Sequence, residues 1–307
     1  EDDPALVGEA GPARSHEPIA VVGIGTKVGL ALDVASFEQA LLAGHELGEV
    51  GELELELDGL RFPPNDLRRT LPQQLLVLAA AREATSGLAL GESERGGVFL
   101  GMEIDPTICR YGARWRLPAY LRARGLDPAQ GEVGTWLAHA RDQLIAKLAA
   151  AGVVGTMPNI PANRINVQLD LGGPSWTVFE GERSGRRALE LAVAALQRGE
   201  LDSALACGVD LSCDPIHLAA LHAIEGTTTR PGDAAVVLVL RRLADARREG
   251  QRVLAILDVE RARSGRLLEI PRWHGAAWLA LAIACAATLS ACEARAEPEP
   301  VQVSASP

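Results

Sequence analysis

Aromatic side chains are scarce in this chain: Phe, Trp and Tyr make up 4% of its 307 residues. A core of small aliphatic side chains with 31 glycines must close by backbone approach, as α/β folds often do. Cysteine is also scarce. The five thiols, Cys109, Cys207, Cys213, Cys285 and Cys292, are odd in number and include no C-x-x-C pair. A disulfide framework and a zinc site of the usual spacing are thereby excluded. Cys207, in the apolar run "ALACGV", is expected to pack as a small hydrophobe. Positive charge is in deficit, with 30 Lys and Arg against 40 Asp and Glu and a net charge of -10. Such a chain repels phosphate backbones, which argues against nucleic-acid binding. Apolar residues at 48% and charged residues at 23% exclude a disordered chain and a multi-span membrane protein.

The opening "EDDPALVGEAGPARSHEP" has no basic start and no apolar stretch. It does not read as a signal peptide, and residues 1–17 are expected to be a linker. Strands and helices then alternate. Strands are expected at 18–25, 51–60, 96–102, 174–179, 203–211, 233–243 and 252–260. Helices are expected at 34–44, with Asp33 as N-cap and Gly44 as stop, and at 71–88, 136–151, 184–198 and 214–224. Residues 105–131, rich in Arg, Pro and aromatics, read as a mixture of loops and short helices. The class is α/β.

Gly23, Gly25 and Gly29 follow the first strand in "VVGIGTKVG". The dinucleotide fingerprint would place its third glycine where Val28 stands. The glycines read better as a tight turn, and no cofactor and no metal site is expected. Residues 157–212 carry more specific motifs. Asn159, Ala162, Arg164 and Ile165 come first, then Gly173, Pro174, Ser175, Thr177 and Val178, then Gly199, Asp202, Ala204, Gly208 and Val209. In order and spacing these resemble the N-terminal half of the β-ketoacyl synthases of fatty-acid and polyketide assembly. "EPIAVVGIG" resembles that family's first strand and "GDAAVVLVLRRLADARREGQRVLAIL" its later strand-turn-strand. The resemblance implies a thiolase-like, layered αβα fold over residues 18–260.

The resemblance breaks at its chemical centre. Active members carry the nucleophilic Cys in D-T-A-C-S-S, at a strand-to-helix turn that favours the thiolate. Here those positions are Phe179, Glu180, Gly181, Glu182, Arg183 and Ser184. Glu182 occupies the nucleophile position, and a carboxylate is a poor acyl acceptor. The family's two histidine motifs are not found either, since His16, His45, His139, His217, His222 and His274 lack the right neighbours. No catalytic residue is therefore assigned. "EGERSG" is similar to the chain-length-factor domains of polyunsaturated fatty acid synthases, which pair with a complete ketosynthase and shape its acyl tunnel. That likeness implies a non-condensing subunit, a dimer, and acyl-carrier protein as a partner. Malonyl-thioester decarboxylation is a second reading, and a degenerate membrane-tethered fragment a third. Locally, Glu182 suits a helix N-terminus and a pairing with Arg186 or Arg187, and Ser184 suits an N-cap.

Beyond residue 260 the composition changes. Residues 261–274 hold Arg261, Arg263, Arg266 and Arg272 and read as a basic linker. Residues 275–292 are uncharged, long enough for a marginal membrane helix. Arginines before the run and glutamates after it would keep the main domain in the cytoplasm. "LSAC", ending at Cys292, also resembles a lipobox. Residues 293–307 are acidic and Pro-rich and read as a disordered tail.

Overall fold

The computed structural model describes residues 17–88, 90, 95–181, 183–225 and 232–257. The expected elements beyond residue 257, including the apolar run 275–292 and the tail, lie outside the described residues.

The chain begins with strand β1 (Ile19–Val28) and helices α1 (Val34–Ala43), α2 (Pro64–Leu67) and α3 (Pro72–Thr85). Strand β2 (Gly96–Met102) leads to α4 (Thr107–Ala123), α5 (Gly131–Leu144), α6 (Ala150–Thr156) and α7 (Ile160–Leu169). Then come β3 (Ser175–Val178), α8 (Ser184–Gln197), β4 (Ser203–Leu211), α9 (Pro215–Glu225), β5 (Asp233–Arg242), α10 (Leu243–Arg248) and β6 (Ala255–Leu257). The strands form one sheet in the order β3-β2-β4-β5-β1-β6. Strands β3, β2 and β4 run parallel, while β5, β1 and β6 join antiparallel.

Alternation along the strands divides the core. Ala20, Val22, Val98, Leu100, Leu205 and Val237 face α3 and α7. Ile19, Val21, Phe99, Ala204, Ala206 and Leu238 face α8. Helices thus cover both faces, as a layered αβα fold requires. Cys207 is buried in the first of these cores, where loss of hydration pushes its thiol pKa up. Helix α1 has the expected ends. Asp33 accepts the Ser36 N–H at 2.6 Å and Ser36 Oγ accepts the Asp33 N–H at 3.2 Å, a capping box. Gly44 closes the helix at φ 67°, a left-handed conformation that costs glycine least.

Three expectations change. Gly23 and Gly25 lie inside β1, not in a turn after it. A Cβ on Gly25 would stand 1.9 Å from the Ala80 carbonyl oxygen, and one on Gly23 2.1 Å from that of Ala84. These glycines let the backbone of α3 rest on the strand. Residues 51–60 are not a strand. Leu53 and Leu60 pack on the core, while Arg82 of α3 donates to the carbonyls of Glu56 at 2.6 Å and Asp58 at 2.8 Å. A side chain thus takes acceptors that a neighbouring strand would otherwise use.

The third change is in residues 105–151. The Arg-rich stretch is one helix, α4, with Pro118 inside it. Pro118 has no N–H for the Arg114 carbonyl four residues earlier. Arg141 Nε of α5 donates to that carbonyl at 3.0 Å, so the acceptor is not orphaned. Helix α5 starts at Gly131, earlier than expected, and ends at Leu144. A separate α6 follows, whose Gly155 meets the backbone of Arg69 and Thr70 closely.

Candidate functional site

Parallel β3, β2 and β4 end on one side of the sheet, and α8 starts there. Open α/β sheets gather ligands at such carboxyl ends, beside helix N-termini. Helix α8 is placed by glycine contacts. A Cβ on Gly101 of β2 would lie 2.2 Å from the carbonyl carbon of Ser184 and 2.3 Å from the Gly185 nitrogen. A Cβ on Gly208 of β4 would stand 3.7 Å from the Cα of Gly185. Ala188, Leu189, Ala192 and Val193 then seal the inner face of the helix.

The turn from β3 into α8 holds Phe179, Glu180, Gly181 and Arg183, with Gly181 at φ 58°. Glu182, at the nucleophile position by motif spacing, lies outside the described residues. Ser184 is the first residue of α8, and the helix has no side-chain N-cap bond, so the expected N-cap role is not what its hydroxyl performs. Ser184 Oγ accepts the Glu180 N–H at 2.8 Å and donates to the Gly181 carbonyl at 2.6 Å. Glu103 Oε1 stands 3.3 Å away as a second acceptor. The residue is 5% exposed, so its hydroxyl braces the turn and does not face an incoming acyl group. Arg186 and Arg187 bond to Glu190 at 3.0 and 3.1 Å, and Arg183 approaches Glu180 at 3.5 Å. These exposed pairs contribute little to stability.

A second polar cluster closes the end of β4. Buried Asp233 accepts the N–H of Cys213 at 2.9 Å and that of Val50 at 3.1 Å. It ties three segments together. Burial, with Asp233 alongside, pushes the Cys213 thiol up to about 11. Burial also raises the Asp210 carboxyl above its ordinary range, against the hydrogen bond that Ser212 donates to it and the attraction of His217. Asp214 pairs with Arg110 at 2.8 Å. His45, His139 and His222 are exposed and His217 is half-buried; His16 and His274 lie outside the described residues. Among the described residues no group of His, Cys, Asp and Glu is arranged to hold a metal ion.

Arg164, a motif residue on α7, is buried with its guanidinium 4.6 Å from the centre of the Phe62 ring. Its Nη2 reaches Thr70 Oγ1 at 3.4 Å, and burial lowers its pKa. Sequence reasoning missed Glu103, Asp233 and the buried Gln73, whose neighbours come from distant segments, and Asp210, whose partner Ser212 is only two residues away.

A mixed sheet between helical layers, with a glycine-set helix start at its parallel end, defines a thiolase-like α/β domain. The model for "Beta-ketoacyl synthase, N-terminal domain" matches residues 54–246. The chain belongs to the β-ketoacyl synthase family through that domain. A polyunsaturated fatty acid synthase component of Thraustochytrium sp. is 29% identical over 168 residues, covering 53% of this chain and 8% of that protein. The pikromycin polyketide synthase component PikAII of Streptomyces venezuelae is 28% identical over 229 residues, covering 70% and 5%. The chain thus spans less than a tenth of either relative. Among solved structures, the PfaC keto synthase-chain length factor shares the fold at a TM-score of 0.66 and 20% identity, covering 82% of this chain and 31% of that one. The ketosynthase from module 6 of the Bacillus subtilis bacillaene synthase gives a TM-score of 0.54 and 20% identity, covering 78% and 42%.

Proposed function

We propose that this chain is a non-condensing, chain-length-factor-type subunit in bacterial fatty-acid or polyketide synthesis. The observation that carries the reading is Glu182 at the position where the family places its nucleophilic Cys. Ser184, the nearest hydroxyl in the turn, is buried and already bonded. The partners are a complete ketosynthase and acyl-carrier protein. Edge strand β3 supports pairing: among the described residues it has a neighbour on one side only, and Trp176 and Phe179 are 59% and 45% exposed. The domain works in the cytoplasm, attached to the membrane through residues 275–292.

The test supplies carrier-bound acyl and labelled malonyl groups to the full chain. No ketoacyl product forms, and Glu182→Cys does not restore it, because the acid/base histidine motifs are not in this sequence. Product above a no-enzyme control would overturn the reading. Mixed with a complete ketosynthase of polyunsaturated fatty acid synthesis, the chain co-sediments with it, and Trp176→Lys weakens that association.

A further inference from the structure

A cleft of about 240 Å³ lies between α2, α6 and one side of α7. Phe62, Val154, Ile160 and Val167 give it apolar walls, and Asp66, Asn163 and Arg164 give it polar ones. Arg164 is 5% exposed, and its guanidinium stands against the Phe62 ring. Its one hydrogen bond is the long contact from Nη2 to Thr70 Oγ1. Nε is buried without a partner, while Nη1, equally unbonded, keeps its accessible surface in the cleft. Asp66 is half-buried. Its main-chain carbonyl accepts from Thr70 Oγ1 at 2.9 Å, but its carboxylate takes no hydrogen bond from the described residues. It is near enough to favour the charge on Arg164, yet the two side chains do not form an ion pair. Asn163 is exposed, and its Oδ1 accepts from Ser175 Oγ at 3.2 Å, which leaves the amide N–H groups free. A charge this deep normally has a bonded counter-charge. Here a cation and an anion line one cleft and stop short of each other.

We propose that this cleft binds a free aliphatic α-amino acid. The ligand carboxylate accepts from Arg164 Nη1 and the Asn163 amide, and its ammonium donates to Asp66. Both bonds are charge-assisted, so each is stronger than a neutral one. A simple anion would meet the Asp66 carboxylate as a like charge, and a simple cation would meet Arg164. A molecule that carries both charges satisfies both residues. The aliphatic side chain lies against Val154, Ile160 and Val167. A few placed polar groups among apolar walls are the usual design of a small-molecule site. The site uses neither Glu182, Ser184 nor Trp176, so it stands or falls apart from the proposed subunit role.

The experiment titrates the full chain with L-leucine, with 4-methylpentanoate, which lacks the ammonium, and with 3-methylbutylamine, which lacks the carboxylate. Calorimetry and ligand-observed NMR read the binding. Leucine binds at least about ten-fold more tightly than either, since a site built for a polar group rejects the analogue lacking it. Asp66→Asn keeps the shape of the side chain and removes its charge. In that variant leucine loses its advantage over 4-methylpentanoate, and 4-methylpentanoate binds more tightly than to the parent. Val154, exposed at the rim, serves for blocking: Val154→Trp fills the cleft and weakens leucine at least about ten-fold. Absence of leucine binding at millimolar concentration overturns the proposal, and solvent alone then fills the gap between Asp66 and Arg164. Equal binding of the three probes overturns it too. So does an unchanged preference for leucine in Asp66→Asn, or unchanged leucine binding in Val154→Trp.

Discussion

Gly101→Ala tests how α8 is held at the end of the parallel strands. The new methyl would lie 2.2 Å from the carbonyl carbon and 2.3 Å from the carbonyl oxygen of Ser184. Non-bonded carbon atoms rest about 3.5–4.0 Å apart, so the first turn of α8 must retreat by more than about 1 Å. The obstacle is backbone, and no side-chain rotation relieves it. Retreat also lifts Ala188 and Ala192 from the sheet and strains the bonds that Ser184 makes to Glu180 and Gly181. Overpacking costs about 1–3 kcal/mol and a lost hydrogen bond about 1 kcal/mol, so about 3 kcal/mol is expected in total. For a domain of this size each kcal/mol moves Tm by about 2–4 °C, which predicts a fall of about 6–12 °C. Thermal unfolding followed by far-UV circular dichroism measures it. Gly112→Ala is the control. Gly112 lies inside α4, and a methyl added there meets nothing within 4 Å, so alanine should stabilise by about 0.8–1.0 kcal/mol through helix propensity alone. A Gly101→Ala protein melting within about 2 °C of the parent would refute the argument, because β2 and α8 would then not be in backbone contact.

Three further outcomes are expected. Cys213, with its thiol pushed up to about 11, is about one part in a thousand thiolate at pH 8; its alkylation by iodoacetamide should be slow there and rise about ten-fold per pH unit up to pH 10, and rapid labelling at pH 8 would contradict its burial beside Asp233. Asp210 has a raised pKa in the fold, so the folded protein binds the proton more tightly than the unfolded chain. Its contribution is fully present below the unfolded pKa and is lost as pH rises through the folded one; Asp210→Asn should therefore raise Tm at pH 7 and leave it near the parent's in acid, and a variant less stable at pH 7 would show that the carboxylate is needed. For the proposed membrane attachment, cell fractionation compares the full chain with a version ending at Arg272. The full chain should resist carbonate extraction and the shorter one should not, and identical soluble behaviour of both would rule the attachment out.

The elements that were legible in the sequence are those whose ends carry their own chemistry. Strands β2 and β4 fall on their expected residues because apolar runs meet polar or glycine breaks at both ends. Helix α1 does so because Asp33 and Gly44 cap it from side chain and backbone. Motif spacing counted from Gly173 puts Glu182 at the nucleophile position, and that residue lies outside the described residues. What Ser184 does was not legible. Its sequence position suits a cap, but its hydroxyl turns back to Glu180 and Gly181. That choice depends on β2 pressing on the same turn from a segment far back in the chain.

The misread elements share one cause: a partner remote in sequence changed the meaning of a local pattern. Glu and Leu alternate through residues 52–57 as in a strand, yet the carbonyls of Glu56 and Asp58 are taken by Arg82. Gly23 and Gly25 looked like a turn because glycine usually breaks a strand. Here they sit inside one because the carbonyls of Ala80 and Ala84 come within about 2 Å of where a side chain would begin. Pro118 lies in the stretch read as loops and short helices, and a proline inside a helix leaves a carbonyl unbonded. Whether a proline ends a helix depends on what becomes of the carbonyl that it leaves unbonded. In α4 that carbonyl belongs to Arg114, and Arg141 of the next helix bonds to it. The guanidinium of Arg114 in turn bonds to the Ile145 carbonyl at 2.9 Å and Asp142 at 2.7 Å. Each helix thus supplies the bond that the other lacks, so α4 is continuous because α5 lies beside it, and the proline is evidence about the pair rather than about either helix.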